Sequence, residues 1–325
     1  MKEQSLQEFN PNHPELRKKF EEYIGASLGV SASLLMALPL KSRGKTSSWK
    51  IEFIEGEKRR SVVFKTVKLN GTEEKGSTLQ KKELSRQYHL LKQLENTKLK
   101  VPKAFGYDES GTAVGLPCYL EEGLRGQVLY NFLKKKEKWA DEIFLKSIIE
   151  IQEIKKEKLG GFQAELNTEK PAKDILADIT AGFAEFPKGP MITRLLEKLP
   201  AEMPETPSPC FSNGDLNPKN FLVKDKNLSG ILDFELAGFY DPVFEFLAPL
   251  FWYPLLQKRG FEESYFRRKG LNLKNLDWYR ALVLSFELLN SLKDEKENQT
   301  VPHEGRNIKE ECLLSLGSWV KKGTF

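Results

Sequence analysis

The chain has little cysteine, little histidine, no long apolar run and almost no net charge, and each shortage removes a class of function. Its 325 residues include three cysteines, Cys118, Cys210 and Cys312, far apart and out of metal-binding spacing. They read as reduced thiols of a cytoplasmic protein, not as a disulfide framework. Three histidines, His13, His89 and His303, are remote from one another in sequence, which leaves a zinc enzyme or a Ser-His-Asp hydrolase little to work with. The longest uncharged apolar run, Leu247–Gln257, is about half the ~20 residues that a membrane span needs, so no membrane role is expected. The opening MKEQSLQEFNPNHPE is too polar and acidic to read as a secretory signal. With 51 Lys and Arg interspersed among 46 Asp and Glu, the net charge of +5 does not mark a nucleic-acid binder. Hydrophobic residues at 39% and charged residues at 30% describe a soluble folded chain and exclude disorder. The length exceeds what one hydrophobic core usually organises, so two subdomains are expected.

No repeat or low-complexity tract interrupts the chain. The first 34 residues carry helical signals, with a helix expected over Pro14–Ile24. Leu35–Lys41, Ser48–Glu55 and Arg59–Val67 are rich in β-branched and aromatic residues, and Glu55-Gly56-Glu57 supplies a turn between the last two. This pattern predicts an antiparallel three-stranded meander. Leu79, Leu84, Tyr88, Leu91 and Leu94 then recur at helical intervals over Leu79–Glu95. Val101-Pro102 starts an extended stretch, Gly115–Glu122 reads as a buried strand, and Gly123 and Gly126 punctuate the chain as a candidate hinge. The expected division is an N-terminal lobe over 1–122, with 1–34 as a helical extension, and a C-terminal lobe over 123–325. Beyond the hinge, helical segments over Val128–Glu137, Asp141–Lys156, Ala172–Phe186 and Met191–Leu199 give way to Cys210–Leu216, Phe221–Val223 and Gly230–Phe234. Short strands flanking a polar loop inside a helical region point to a site. The fold class is α+β.

The informative stretch, Ser212–Phe234, reads SNGDLNPKNFLVKDKNLSGILDF. Asp215 and Asn220 are five apart across a Pro-containing loop, and pairing of Phe221–Val223 with Ile231-Leu232 brings Asp233 back beside Asn220. One carboxylate and one amide oxygen can then hold Mg²⁺, a hard cation that keeps some of its own waters. Asp215, outside that pair, can accept the proton of an attacking hydroxyl, as phosphoryl transfer requires. Turn residues cluster wherever a chain reverses, which accounts for any one of these residues but not for the ordered set.

The segment resembles the catalytic and metal loops of the aminoglycoside phosphotransferase and choline kinase superfamily, the small-molecule branch of the protein-kinase-like fold. The matching runs are Asn213-Gly-Asp-Leu-Asn-Pro-Lys-Asn220, Ile231-Leu-Asp-Phe-Glu235, Asp241-Pro242 and Glu245-Phe-Leu-Ala248. The resemblance implies a two-lobe fold, with a small N-lobe of antiparallel sheet plus helix and a larger, mainly helical C-lobe. It makes Asp215 the catalytic base and Asn220 and Asp233 the Mg²⁺ ligands. In the N-lobe it implies a phosphate loop at Ser42–Ser48, with Gly44, Thr46 and Ser47 approaching phosphate oxygens. It also implies a phosphate-steadying lysine at Lys65, with Lys68 as the competing choice, and an adenine-receiving backbone around Glu121 and Gly123. The helix run Ser85-Arg-Gln-Tyr-His-Leu-Leu-Lys-Gln-Leu matches the family pattern with Gln87 where a glutamate is usual. Glu83, one turn earlier, is the alternative partner of Lys65. Asn213 replaces a histidine and can orient the loop by similar hydrogen bonds, while Glu245 replaces an aspartate at a structural contact.

The implied function is Mg²⁺-dependent transfer of the γ-phosphoryl of ATP, or of GTP, to a hydroxyl of a small molecule. The alternative, prompted by Gln87 and Asn213, is a kinase-like binding module that presents a surface to a protein partner. A protein kinase is disfavoured because Asn217 stands where such enzymes place lysine and Asp233-Phe-Glu235 lacks their glycine. Gly44-Lys45-Thr46 imitates the end of a Walker A motif, but the residue five before Gly44 is Pro39 and a strand follows where a helix is needed. Lys134-Lys-Lys136 and Lys155-Lys156 are interleaved with acids and read as solvated helical faces. Phe251-Trp252-Tyr253 and Tyr265-Phe266 read as helical-domain core, with a pocket lining as the competing reading. From Asp241 to the C-terminus 12 acidic residues meet 13 basic ones, so the acidic bias that a polycationic acceptor calls for is not there.

Overall fold

A computed structural model of the chain describes residues 10–40, 46–67, 77–166, 169–186, 189–257, 260–297 and 306–322. Gly44 and Lys68 lie outside the described residues. Helix α1 (Pro14–Leu28) opens with a proline at its first turn and stops at Gly29, whose φ of 68° closes the helix in the left-handed region. Strands β1 (Ser33–Leu40), β2 (Thr46–Glu55) and β3 (Lys58–Val67) form the expected antiparallel meander, turning at Gly56. Helix α2 (Thr78–Leu94) begins with a capping box: the Ser77 hydroxyl accepts from the Gln80 amide, and Gln80 Oε1 accepts from Ser77 N–H. Strands β4 (Ala104–Asp108) and β5 (Cys118–Glu122) complete a sheet ordered β1-β2-β3-β5-β4.

The register sorts the side chains of this sheet into two faces. Ile51, Phe53, Val62, Phe64 and Leu120 are buried together with Phe20, Tyr23 and Ile24 of α1. The Phe20 and Phe64 rings meet edge-on at 4.8 Å. The other face carries Lys65, which stands opposite Ser48 on β2 and Tyr119 on β5. Leu40 stands opposite Ser48, so this face continues onto β1, where Leu38 and Leu40 are 43% and 42% exposed.

An edge strand this apolar invites pairing with another chain. The free edge of β1 is instead occupied by side chains from the helical segment before it. Asn12 donates to the Ala37 carbonyl and accepts from the Ala37 amide, each at 2.9 Å. Glu21 accepts from the Leu34 amide at 2.8 Å, and Arg17 donates to the Leu34 carbonyl.

The chain divides into two units. One takes the described residues of Met1–Val128, Lys156–Leu166 and Asn220–Leu236, and the other takes Leu129–Lys155, Asn167–Lys219 and Ala237–Phe325. The first therefore also holds β6 (Gln127–Val128), β9 (Phe221–Lys224) and β10 (Asn227–Ile231), paired in the order β10-β9-β6. The β9–β10 turn is Asp225-Lys226, both at positive φ, as a tight hairpin turn requires.

The second unit is helical: α3 (Tyr130–Lys134), α4 (Lys138–Gln152), α5 (Ala172–Phe183), α6 (Pro190–Ala201), α7 (Pro242–Trp252), α8 (Pro254–Gln257), α9 (Phe261–Lys269), α10 (Leu276–Lys296) and α11 (Ile308–Lys322). It includes a small sheet ordered β7-β11-β8, made of β7 (Glu169–Lys170), β8 (Cys210–Ser212) and β11 (Gly238–Tyr240). Its core is aromatic, with Phe246 stacked on Tyr265 at 3.9 Å and Phe266 buried. Among the described residues no helix is long and apolar enough to cross a membrane.

Asn12→Ala removes both hydrogen bonds to Ala37 and uncovers the β1 edge. The expected cost is about 1–2 kcal/mol, read as a lower urea midpoint, together with concentration-dependent light scattering. An unchanged midpoint and no scattering would show that the edge is protected by other means.

Candidate active site

In the helical unit, Asp215 is carried by the loop that leaves β8. Pairing of β8 with β11 sets Ser212 opposite Gly238 and holds the start of that loop. The buried Ser212 hydroxyl accepts from the Gly214 amide at 3.0 Å and donates to Glu245 Oε2 of α7 at 2.6 Å. Gly214 has a φ of 79°, a conformation that suits glycine alone at low cost. Asn213 is fully buried, and its side-chain amide donates to the Asp215 carbonyl at 3.0 Å, the loop-orienting bond expected of it. Beyond Asp215, Asn217 Oδ1 accepts from the Lys219 amide at 2.9 Å and from the Tyr253 hydroxyl at 2.8 Å. Tyr253 thus touches the loop, whereas Phe251, Tyr265 and Phe266 are core residues.

Glu245 also begins an electrostatic neighbourhood. Burial pushes its carboxyl up to about 7, and the negative charges of Asp215 and Asp241 add to the effect against the lowering hydrogen bond from Ser212. Asp241 caps α7 by accepting from the Val243 and Phe244 amides at 2.9 and 3.0 Å, and the Tyr279 hydroxyl donates to its other oxygen at 3.0 Å. Burial nonetheless raises Asp241 to about 6.

In the sheet unit, the hairpin performs the return expected of it. Ile231 pairs with Phe221, and Leu232 N–H donates to the Asn220 carbonyl at 2.8 Å, which places Asp233 next along the chain from a residue bonded to Asn220. Ile231 N–H is held from its other side by the Lys100 carbonyl at 2.7 Å. Asp233 is exposed and has a φ of 62°, an uncommon conformation for a residue other than glycine and one that clusters at functional sites. Arg86 of α2 donates to the Glu235 carbonyl just past it and pairs with Glu83. The helix thereby holds the Asp233 loop.

That pairing commits Glu83 elsewhere, and Lys65 takes its carboxylate from β5: Glu121 Oε1 lies 4.0 Å from the Lys65 ammonium. The Tyr119 hydroxyl donates to the same Glu121 oxygen at 2.7 Å and lies 3.4 Å from the Gln87 side chain. Gln87 Oε1 is the second acceptor of that hydroxyl, at the longer distance, and the buried Gln87 Nε2 has no hydrogen-bond partner among the described residues. Burial, then the charges of Glu121, Glu235 and Asp233, hold Tyr119 protonated. Gly123, at the end of β5, lies so close to β3 that a Cβ there would come within 2.5 Å of the Ser61 carbonyl oxygen. Of the hydroxyls expected near phosphate, Thr46 is buried opposite Val67 at the start of β2, and Ser47 pairs with Thr66 on the face away from Lys65. The sequence assigns no role to the side chains of Ser212, Arg86 and Tyr119; their contacts do.

An α+β chain with an antiparallel N-terminal sheet, a helical C-terminal region and an Asp-x4-Asn loop followed by an exposed aspartate defines the kinase-like phosphotransferase class. The model of the phosphotransferase enzyme family, APH, matches residues 50–282, and the chain belongs to that family. Among curated proteins none matches the chain. A candidate aminoglycoside phosphotransferase from Ralstonia eutropha JMP134 is similar in structure with a TM-score of 0.71 at 14% identity, over 95% of this chain and 99% of that one. A thermostable variant of the aminoglycoside phosphotransferase APH(4)-Ia, solved with ADP and hygromycin B, gives a TM-score of 0.60 at 13% identity, over 93% and 98%. ADP-bound APH(2″)-Ib gives 0.59 at 15%, over 95% and 99%. These likenesses establish the fold.

Because Glu245 is raised from 4.5 to about 7, the folded chain keeps a proton that the unfolded chain has released between those values. Its contribution is full below 4.5 and is lost as pH rises through about 7. Glu245→Gln keeps an acceptor for Ser212 without titrating, so the fall in Tm across that interval should be shallower in the variant. Identical slopes in the two proteins would remove Glu245 from the account.

Proposed function

We propose that the protein transfers the γ-phosphoryl group of ATP, or of GTP, to a hydroxyl of a small molecule in the cytoplasm. The observation that carries this reading is the hairpin return of Asp233 to Asn220 within a chain of the phosphotransferase family. An amide oxygen and an exposed carboxylate on adjoining turns are hard donors and fit Mg²⁺. When bound, the ion supplies neutralisation of phosphate charge. Lys65, steered by Glu121, steadies the phosphate oxygens. Backbone groups of Glu121 and Gly123 receive the base edge, and Leu38, Leu40 and Val63 on the Lys65 face offer it an apolar roof. Recognition through backbone alone accepts either purine.

Asp215 accepts the proton of the acceptor hydroxyl as its oxygen bonds to the γ-phosphorus; the bond from that phosphorus to the β–γ bridging oxygen breaks, and the nucleoside diphosphate leaves. Catalysis on this account is positioning and charge stabilisation. The departures that prompted a binding module are both compensated, Gln87 by Glu121 and the missing histidine by the Asn213 bond. Those compensations favour transfer.

Asp215→Ala should lose turnover by at least about a hundredfold while keeping the Mg²⁺-dependent thermal shift with nucleotide. Asp233→Ala should lose both. Turnover retained in the first variant would end the role given to Asp215, and a nucleotide shift that ignores Mg²⁺ and Asp233 would end the phosphotransferase reading. For the lysine, Glu121→Gln should raise the nucleotide Kd about tenfold, and adding Gln87→Glu should recover part of it by restoring a carboxylate from α2. No change in Kd on Glu121→Gln would show that Lys65 needs no carboxylate.

A further inference from the structure

Four residues beyond Asp215, on the same loop, Lys219 occupies an aromatic corner. Its ammonium lies 5.4 Å from the ring centroids of both Tyr130 and Tyr253, and those rings pack against each other at 4.6 Å, tilted by 56°. Two π-faces meeting at an angle are the arrangement with which proteins hold a ligand's cation. Here the protein's own cation fills it. The corner is fixed to the loop twice over, since Asn217 accepts from both the Tyr253 hydroxyl and the Lys219 amide. A second ammonium, Lys134, stands 5.0 Å from the Tyr130 ring centroid. Glu137, the acid nearest Lys134 in sequence, is turned to the Trp139 indole at 3.1 Å. Lys134 and Lys219 are both exposed.

Positive charge beside the loop of the proposed base has a consequence for the acceptor. A cationic alcohol approaching Asp215 meets two like charges and finds the aromatic corner taken. An alcohol bearing a negative group meets two available donors. The balance of 12 acids and 13 bases from Asp241 onward agrees, because a polycation-binding lobe needs an excess of carboxylates. We propose that Lys219 and Lys134 select an acceptor alcohol that carries an anionic group, a carboxylate or a phosphate, and turn cationic alcohols away. The assignment rests on the phosphotransferase reading and names the substrate class of that site.

The test uses the full chain with ATP and Mg²⁺ and four three-carbon alcohols: glycerol, the amine serinol, glycerate and glycerol 3-phosphate. ADP release and product mass give kcat/KM for each with wild type, Lys219→Met and Lys134→Met. Glycerate or glycerol 3-phosphate should exceed glycerol by at least about tenfold, with serinol below glycerol; whichever anion leads distinguishes carboxylate from phosphate. Lys219→Met should abolish that advantage while leaving the glycerol value and the KM for ATP unchanged within about twofold. Equal use of the four alcohols, preference for serinol or absence of stimulation by either anion overturns the proposal. So does a Lys219→Met loss that is the same for every acceptor, which would mean that Lys219 serves the transferred phosphoryl group. The Asp233-dependent nucleotide shift is measured alongside: its loss sinks the phosphotransferase reading, while its presence without anion preference sinks only the acceptor class.

Discussion

A single backbone hydrogen bond, from Leu232 N–H to the Asn220 carbonyl, is the contact on which the rest of the proposed metal site depends. Asn220 and Asp233 are 13 positions apart, and an oxygen from each must reach one ion. Strand pairing solves this cheaply, because each ladder bond fixes two residues at once. The hairpin needs a tight turn, provided by Asp225 and Lys226 at positive φ, and a stop, provided by the left-handed Asp233. Lys100 clasps the outer edge of β10, and Arg86 clasps the backbone beyond Asp233. An exposed carboxylate is thereby placed without burying its charge.

The carboxylates elsewhere are divided by the same criterion. Asp233 stays exposed, whereas Asp241 and Glu245 are buried, hydrogen-bonded and raised towards neutrality. Burying a charge without a partner is costly, so the buried acids serve as caps and clamps for α7 and the Ser212 loop. The half-buried lysine obeys the rule as well. With a neutral amide at position 87, Lys65 still requires a counter-charge, and the sheet supplies it from the next strand through Glu121. Tyr119 then ties Glu121 to Gln87, so a link between β5 and α2 survives the substitution.

Most of the elements that carry the site were legible because their periodicities are local. The meander, α2, β5 and the short strands around Asp215 follow from alternation, helical spacing and turn residues. Helix α1 is legible as well, but its place in the core is not, since Phe20, Tyr23 and Ile24 form an ordinary helix face until a sheet is present to cover. Strand β4 is legible only as an extended stretch, because AFGYD lacks a clear alternation and contains a glycine at positive φ. In the sequence the candidate partners of Lys65, Gln87 and Glu83, both stand on α2. The resemblance assigns Glu121 a backbone role, and only cross-strand register brings its side chain to Lys65.

By itself the order Asp215, Asn220, Asp233, with glycine and proline between, determined that this chain makes a loop, a hairpin and a second loop of opposed oxygen donors. Those are short-range consequences of φ/ψ preference and turn chemistry, which neighbouring residues decide among themselves. Only tertiary structure decided which charges compensate one another and which aromatic side chains face the loop. Glu245 meets Ser212 across 33 positions, and Tyr253 meets Asn217 across 36. Lys219 rests on Tyr130 and Tyr253, two rings that sequence leaves 123 positions apart. Charge and π interactions decay over a few ångströms in space and take no account of distance along the chain, so they become readable once the backbone has folded.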